Sequence, residues 1–426
     1  MGSPGQDVRN EDTTVEQHRC PHRFGISPGA KTMLIPRQCK VKTPHLVVGL
    51  LICLVARSVQ GQPCSVEERQ KVTGIDTLSN DQFGTAVSIG RDFAVVGAPN
   101  EGHTAPFNGS GAAYVLRRDR NGTPLDSSDD LWIHQAKLVA SDLTVSGHFG
   151  RSVAMTDGLV LVGATRDSRE IRSSGAVYVF QHDDHDTPAD PRDDSWLEVA
   201  KLVPLDATPG DVFRWLGMAV HRDTAIVGAV GAGNSGGQQQ DGPGAAYVFR
   251  RHNNGTPDIS TDDYWFQEAK LLASNAARRD QFGKAVSISG QWAVVGAPLR
   301  GHNWDGAAYV FRRDQGGTPS DPNDDVWTEH VVLSASESAR EMGQSVAISG
   351  NRLVVGAPRE IFGPGAAYVY RRNADNTPED DSDDSWTLEA RLFDDSVRSF
   401  GAAVSIYGNV IAIGGSLPVG VFCDPI

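Results

Sequence analysis

The nineteen residues Asp81–Pro99, DQFGTAVSIGRDFAVVGAP, return almost unchanged as DQFGKAVSISGQWAVVGAP at Asp280–Pro298. Weaker copies lie between and beyond them. The Phe-Gly corner recurs at Phe83-Gly84, Phe149-Gly150, Phe282-Gly283 and Phe400-Gly401, with Leu216-Gly217 and Met342-Gly343 as variants. Successive corners stand 66, 67, 66, 60 and 58 residues apart. A second glycine follows thirteen residues after most of them, at Gly97, Gly163, Gly296, Gly356 and Gly414, and after eleven at Gly228. The first five units then run through a GAAYVF-like stretch and an Asp-Asp-x-Trp step, and four of them end in an AKL-like stretch. A period of this kind demands a modular architecture, because one unit alone cannot bury its apolar face.

Within a unit the pattern has the two-residue period of strands and no sustained helical period. AVSIS alternates. WAVVGAP is apolar throughout, as a strand buried on both sides should be. AAYVFRR turns polar at its end, and WFQEAKLLAS alternates again. Four short antiparallel strands per unit, with glycines where backbones crowd toward an axis, predict an all-β fold, a β-propeller with four-stranded antiparallel blades. The count is six blades; seven is the alternative. The stretch EERQKVTGIDTLSNDQFG reads as a last strand plus the first corner, and the C-terminal stretch supplies a corner and three strands. The last blade is therefore expected to be closed by both termini. In that register Cys64 and Cys423 become hairpin neighbours, and a disulfide between them would lock the ring.

The corner FG followed by VVGAP, spelled in full at 83–99 and 282–298 with GAP again at 356–358, resembles the FG-GAP repeat. The resemblance covers about residues 66–426. It implies a propeller like that at the head of integrin α chains and of many bacterial secreted or surface proteins. As a guide to function it is weak, since one propeller fold hosts unrelated activities. Integrin-type repeats often carry an Asp-rich calcium loop between the corner and the GAP strand. Here that space holds only SIGRDF, MTDGLV, VHRDTA, SISGQW, AISGNR and SIYGNV, too few oxygens for calcium.

Residues 1–61 differ in kind. Arg37, Lys40 and Lys42 precede an apolar run of eleven, Leu46–Ala56, and small residues follow. This is the layout of a secretory signal, with its core at 33–61 and Met33 as the expected start. The run is too short to span a bilayer, and no second long one follows, so no membrane span is expected in the mature chain. Residues 62–426 are the expected propeller domain. Three of the five cysteines, Cys20, Cys39 and Cys53, lie in the segment expected to be removed. The net charge of −14 becomes −18 once residues 1–60 leave, with 31 basic against 49 acidic residues remaining. Such a surface repels nucleic acid.

Two sets of loops could carry function. The hairpins between third and fourth strands hold Asp pairs at Asp129-Asp130, Asp193-Asp194, Asp262-Asp263, Asp324-Asp325 and Asp383-Asp384. Their reading divides between turn capping, which is favoured, and a weak calcium site repeated around one rim. The Trp after each pair is expected to anchor the outer strand. The loops between second and third strands instead change length and chemistry from unit to unit on a repeated frame, the pattern of a binding face. Arg166, Arg169, Arg172, His302, Trp304 and Phe362 are its ligand-face candidates. No H-E-x-x-H, G-x-S-x-G or Cys-His pattern appears. The HDDHD stretch at His182–Asp186 could ligate a metal but reads more simply as a solvated turn. No catalytic or metal residue and no cofactor is assigned. The expectation is a non-catalytic secreted or cell-surface module for adhesion or recognition, with an extracellular protein or glycan as partner. A propeller enzyme acting on an extracellular polymer and a cation-stabilised envelope protein are the alternatives.

Overall fold

The computed structural model describes residues 70–422 apart from 103–108, 124–128, 143–144, 157, 166–174, 186, 188–190, 208–216, 234–241, 254–262, 302, 316–323, 336–338, 362, 375–381 and 417–419. The signal-like segment, Cys64 and Cys423 lie outside the described residues, as do Arg166, Arg169, Arg172, His302 and Phe362.

The repeat period is realised as one antiparallel sheet per unit. The first sheet holds β1 (Val87–Ile89), β2 (Phe93–Ala98), β3 (Ala112–Asp119) and β4 (Leu131–Leu138) in sequence order. The second holds β5 (Phe149–Thr156), β6 (Leu159–Ala164), β7 (Ala176–Asp183) and β8 (Ser195–Leu202). The third holds β9 (Met218–His221), β10 (Thr224–Ala229), β11 (Ala245–His252) and β12 (Tyr264–Leu271). The fourth holds β13 (Val286–Ser289), β14 (Trp292–Ala297), β15 (Ala307–Asp314) and β16 (Val326–Leu333). A short ribbon pairs β17 (Ala339–Arg340) with β20 (Arg359–Glu360). The fifth sheet holds β18 (Ser345–Ser349), β19 (Arg352–Ala357), β21 (Ala366–Asn373) and β22 (Ser385–Leu392). Three strands, β23 (Arg398–Tyr407), β24 (Val410–Ser416) and β25 (Gly420–Phe422), make the last sheet. The apolar GAP strands are fully buried in β6, β10, β14 and β19, as their lack of alternation requires. Among the described residues no helix is long and apolar enough to cross a membrane.

The core is a series of slabs between consecutive sheets. One cluster joins Val95 and Ala113 of the first sheet to Val160 and Tyr178 of the second. Another joins Ile226 and Val248 of the third to Val295 and Tyr309 of the fourth. A third joins Val354 and Val369 of the fifth to Ile411 and Ile413 of the last. The corner aromatics complete the slabs. Phe149, Phe282 and Phe400 are fully buried, and Phe149 and Phe282 meet Tyr178 and Tyr309 edge-on at 5.5 and 5.2 Å. Burying one such side chain contributes on the order of 1.5–3 kcal/mol.

Two glycines per unit lock neighbouring sheets together. The amide of the corner glycine donates to the carbonyl of the GAP glycine in its own sheet: Gly84 to Gly97 at 3.0 Å, Gly283 to Gly296 at 3.1 Å, Gly343 to Gly356 at 3.0 Å. The GAP glycine in turn faces the next sheet's corner. A Cβ added to Gly97, Gly228, Gly296 or Gly356 would lie 1.8–2.0 Å from the carbonyl oxygen of Gly150, Gly283, Gly343 or Gly401. Only a residue without a side chain fits there.

The last sheet and the first are not joined in this way. A Cβ on Gly414 would meet only Ala403 of its own sheet, at 3.5 Å and beyond. Val87 and Ile89 are 39% and 51% exposed, whereas Val286 and Ile288 at the same positions are 7% and 5% exposed. Nonetheless, first-strand residues from all six units line one cavity of about 430 Å³, from Ala86 and Val87 of the first through to Ala402 and Val404 of the last.

Candidate functional site

The Asp-Asp-x-Trp hairpins resolve into two distinct jobs. The first aspartate closes the turn: Thr123 Oγ1 donates to both carboxylate oxygens of Asp129 at 2.7 and 2.8 Å, and Thr187 Oγ1 donates to Asp193 at 2.8 Å. The second aspartate is buried, with the side chains of Asp130, Asp194, Asp325 and Asp384 at most 6% exposed. It faces the seventh residue of the third strand in all five of these hairpins. The pairs are Arg118–Asp130, His182–Asp194 at 3.0 Å, Arg251–Asp263 at 3.4 Å, Arg313–Asp325 at 3.8 Å and Arg372–Asp384 at 3.0 Å. These contacts support the turn-capping reading and engage the carboxylates that a calcium ion would need. His182 belongs to this packing too, with its ring 4.8 Å from Phe93 and 5.1 Å from Trp196. The tryptophans pack between sheets: Trp196 meets Phe93 of the preceding sheet at 5.3 Å and Trp386 meets Trp292 at 5.6 Å.

A β-bulge recurs on the fourth strand of five sheets, opposite Val115/Leu116, Val179/Phe180, Val248/Phe249, Val310/Phe311 and Val369/Tyr370. The extra residue in each is Gln135, Val199, Glu268, His330 or Glu389. A bulge re-aims a side chain, and here several turn toward the hairpin of the next sheet. Gln135 donates to Asp194 at 2.9 Å and accepts from Trp196 Nε1 at 3.2 Å. His330 Nε2 lies 2.6 Å from the carbonyl oxygen of Asp384. Glu268 enters a buried cluster with Arg250 of its own sheet and Arg313 and Asp325 of the next, 3.9 Å from Arg250 and 3.8 Å from Arg313. Burial pushes its carboxyl up to about 7; the two arginines oppose the shift and Asp325 adds to it. The position just before the AKL-like stretch varies freely between units, which hid this role.

Of the ligand-face candidates, Trp304 is the one within the described residues. It is 57% exposed and sits in the left-handed region at φ +58°. An L-residue enters that region at a cost of about 1–2 kcal/mol, so its surroundings must hold it there. Its amide donates to Gly301 at 3.3 Å, its carbonyl accepts from Glu341 at 2.7 Å, and Asp305 beside it pairs with Arg340 at 2.8 Å. Arg340 and Arg359 are partners in the β17–β20 ribbon, and Glu341 pairs with Arg359 at 3.0 Å. The ribbon therefore ties the Trp304 loop to the loop carrying Ile361, which is 49% exposed. Arg359, at 65% side-chain exposure, lies on the ribbon two residues before Ile361. The backbones that carry Trp304, Arg359 and Ile361 are thus linked through Glu341 and the ribbon.

The model of the FG-GAP repeat matches residues 66–116, 132–180, 196–249, 265–311 and 327–370. No curated protein matches the chain. The last four spans open within a fourth strand, and each of the five closes within a third strand.

Proposed function

Because the chain belongs to the FG-GAP repeat family, we propose that it is a non-catalytic recognition module, acting outside the cell or at its surface, that binds a protein or glycan through the loops between second and third strands. The observation that carries this reading is Trp304, an exposed aromatic fixed in a costly backbone conformation whose carbonyl is held by Glu341, the ion-pair partner of the exposed Arg359. Aromatic and arginine side chains on a rigid frame are the residues that dominate binding energies at interfaces. A glycan and surface-protein screen of the exported chain tests it. Trp304→Ala should weaken any hit at least tenfold with unchanged circular dichroism, and exchanging the 231–244 loop should alter selectivity. A hit indifferent to both changes would remove this face from consideration.

The scaffold in this reading is a six-bladed ring whose last blade draws its fourth strand from the segment before Gly74. Three observations favour it. The first family span opens at residue 66, in fourth-strand phase. Gln70 brackets Trp132 through both its backbone amide and its carbonyl, each at 2.8 Å. Asp76 accepts from Tyr114 and pairs with Lys137, just as Asp142, in the linker from the first sheet, accepts from Tyr178 and pairs with Lys201. A Cys64–Cys423 disulfide would close this ring and contribute about 4–5 kcal/mol in the loop-entropy account. Non-reducing peptide mapping of the exported protein should recover the two cysteines in one cross-linked fragment; free thiols at both positions would argue for a ring held by strand pairing alone.

A further inference from the structure

We propose that the axial cavity is a binding site for a small oxyanion, a carboxylate or a sulfate, held between Arg151 of the second unit and Lys284 of the fourth.

The position after each corner glycine supplies much of the cavity wall, through Arg151, Met218, Lys284, Gln344 and Ala402. Two of these carry positive charge, and among the described residues no aspartate or glutamate lines the space. That balance is the reverse of the chain as a whole, whose net charge is −14. Cations gathered in a cleft with low-dielectric walls focus the field there and raise the local concentration of anions. Around them the wall is made by valines, alanines and Met218.

Ser152, beside Arg151 in the same wall, supplies a second observation. Its hydroxyl oxygen is buried and has no hydrogen-bond partner among the described residues. A buried polar group without a partner carries an uncompensated desolvation penalty, which a ligand accepting its proton would relieve. Ser345, also in the wall, already donates to the carbonyl of Gly401 at 2.8 Å. The cavity volume of about 430 Å³ falls within the range of small-molecule sites and admits an acid of sugar size. Arg151 offers a carboxylate or sulfate the forked geometry that suits it, and Lys284 a point charge.

The state of Lys284 fits an anion site. Its ammonium is pushed down first by burial; Glu341 pulls it back up, and Arg151 pushes it further down. The Glu341 carboxylate is shared, since it also pairs with Arg359 at 3.0 Å. An oxyanion entering the cavity restores the compensating charge that burial removed, so binding should raise the proton affinity of Lys284.

The test is isothermal titration of the full chain at low ionic strength with D-glucuronate, inorganic sulfate and, as the neutral control, D-glucose. One-site saturation is expected with glucuronate, sulfate or both, and none with glucose; which anion saturates identifies the carboxylate or the sulfate as the natural group. Arg151→Gln and Lys284→Gln should each weaken binding at least tenfold. A measurement that needs no variant is the Lys284 Nζ resonance, whose titration midpoint should move up as the anion saturates. Binding of glucose equal to that of the anions, no saturation by either anion, or a Lys284 midpoint unmoved at saturation would overturn the proposal. Trp304 is not among the residues lining the cavity, so Trp304→Ala should leave the anion heats unchanged.

Discussion

Gly296→Ala should leave little folded protein. The added Cβ would sit 1.9 Å from the carbonyl oxygen of Gly343, 2.8 Å from its carbonyl carbon and 3.1 Å from its Cα, all backbone atoms of the next sheet. Gly343 cannot retreat. It stands at φ +89°, and its amide is bound to Gly356 at 3.0 Å. Gly356 is in turn pressed against Gly401, where a Cβ would lie 2.0 Å from the carbonyl oxygen. Any displacement therefore passes down the row of sheets. A loss above about 4 kcal/mol is expected, at the extreme of single substitutions. Urea unfolding, or soluble yield where the variant does not accumulate, measures it. Two controls separate this clash from the general cost of replacing glycine. Gly290 lies at φ +61° in open space, and its alanine variant should lose only about 1–2 kcal/mol. Gly414→Ala should be nearly neutral, because its Cβ would make ordinary contacts with Ala403. If Gly296→Ala unfolds at the wild-type urea midpoint, the interlock between sheets does not have the rigidity described above.

Glu268→Gln should raise stability at pH 8 while leaving it unchanged near pH 4.5. The Glu268 side chain is 1% exposed, and burial lifts its carboxyl from 4.5 to about 7 against the pull of Arg313 and Arg250. Between those two values the native state keeps a proton that the unfolded chain has already released. Folding stability from this group is therefore complete below pH 4.5 and is lost as the pH climbs through about 7. A shift of this size corresponds to about 3 kcal/mol. Glutamine mimics the protonated acid and removes the slope. Guanidinium unfolding at pH 4.5, 6 and 8 reads the effect: wild type and variant should coincide at the lowest pH and diverge by up to about 3 kcal/mol at the highest. A variant less stable than wild type at pH 8 would mean that the ionised carboxylate holds Arg250 and Arg313 together at a net gain, contrary to the burial account.

The fold was legible where steric demand acts on spelling. Corner and GAP glycines recur because backbone atoms of the neighbouring sheet occupy the space a Cβ would need, so their spacing exposes the strand boundaries. The apolar VVGA stretches mark the strands buried on both faces. The Asp-Asp-x-Trp steps were legible as turns because Thr123 and Asp129 form a local contact. The partner of the second aspartate was not, because Arg118, twelve residues earlier, meets Asp130 only across a formed hairpin. Nor was the role of Glu268 visible. Its aim depends on a one-residue bulge, and WFQEAKL read with strict alternation gives no sign of one. The loop face was legible only as divergence. That Trp304 is braced by Glu341 follows from pairing with the next unit, which no pattern within one loop encodes.

The glycine interlock joins main chain to main chain, so it is indifferent to the identity of the side chains around it. A module that keeps its two glycines keeps this backbone contact whatever its neighbour's side chains. Duplication or exchange of copies by recombination would leave this backbone contact intact, with only the side-chain slabs to adapt. The loops carried by those copies are then free to drift toward separate ligands while the frame stays the same.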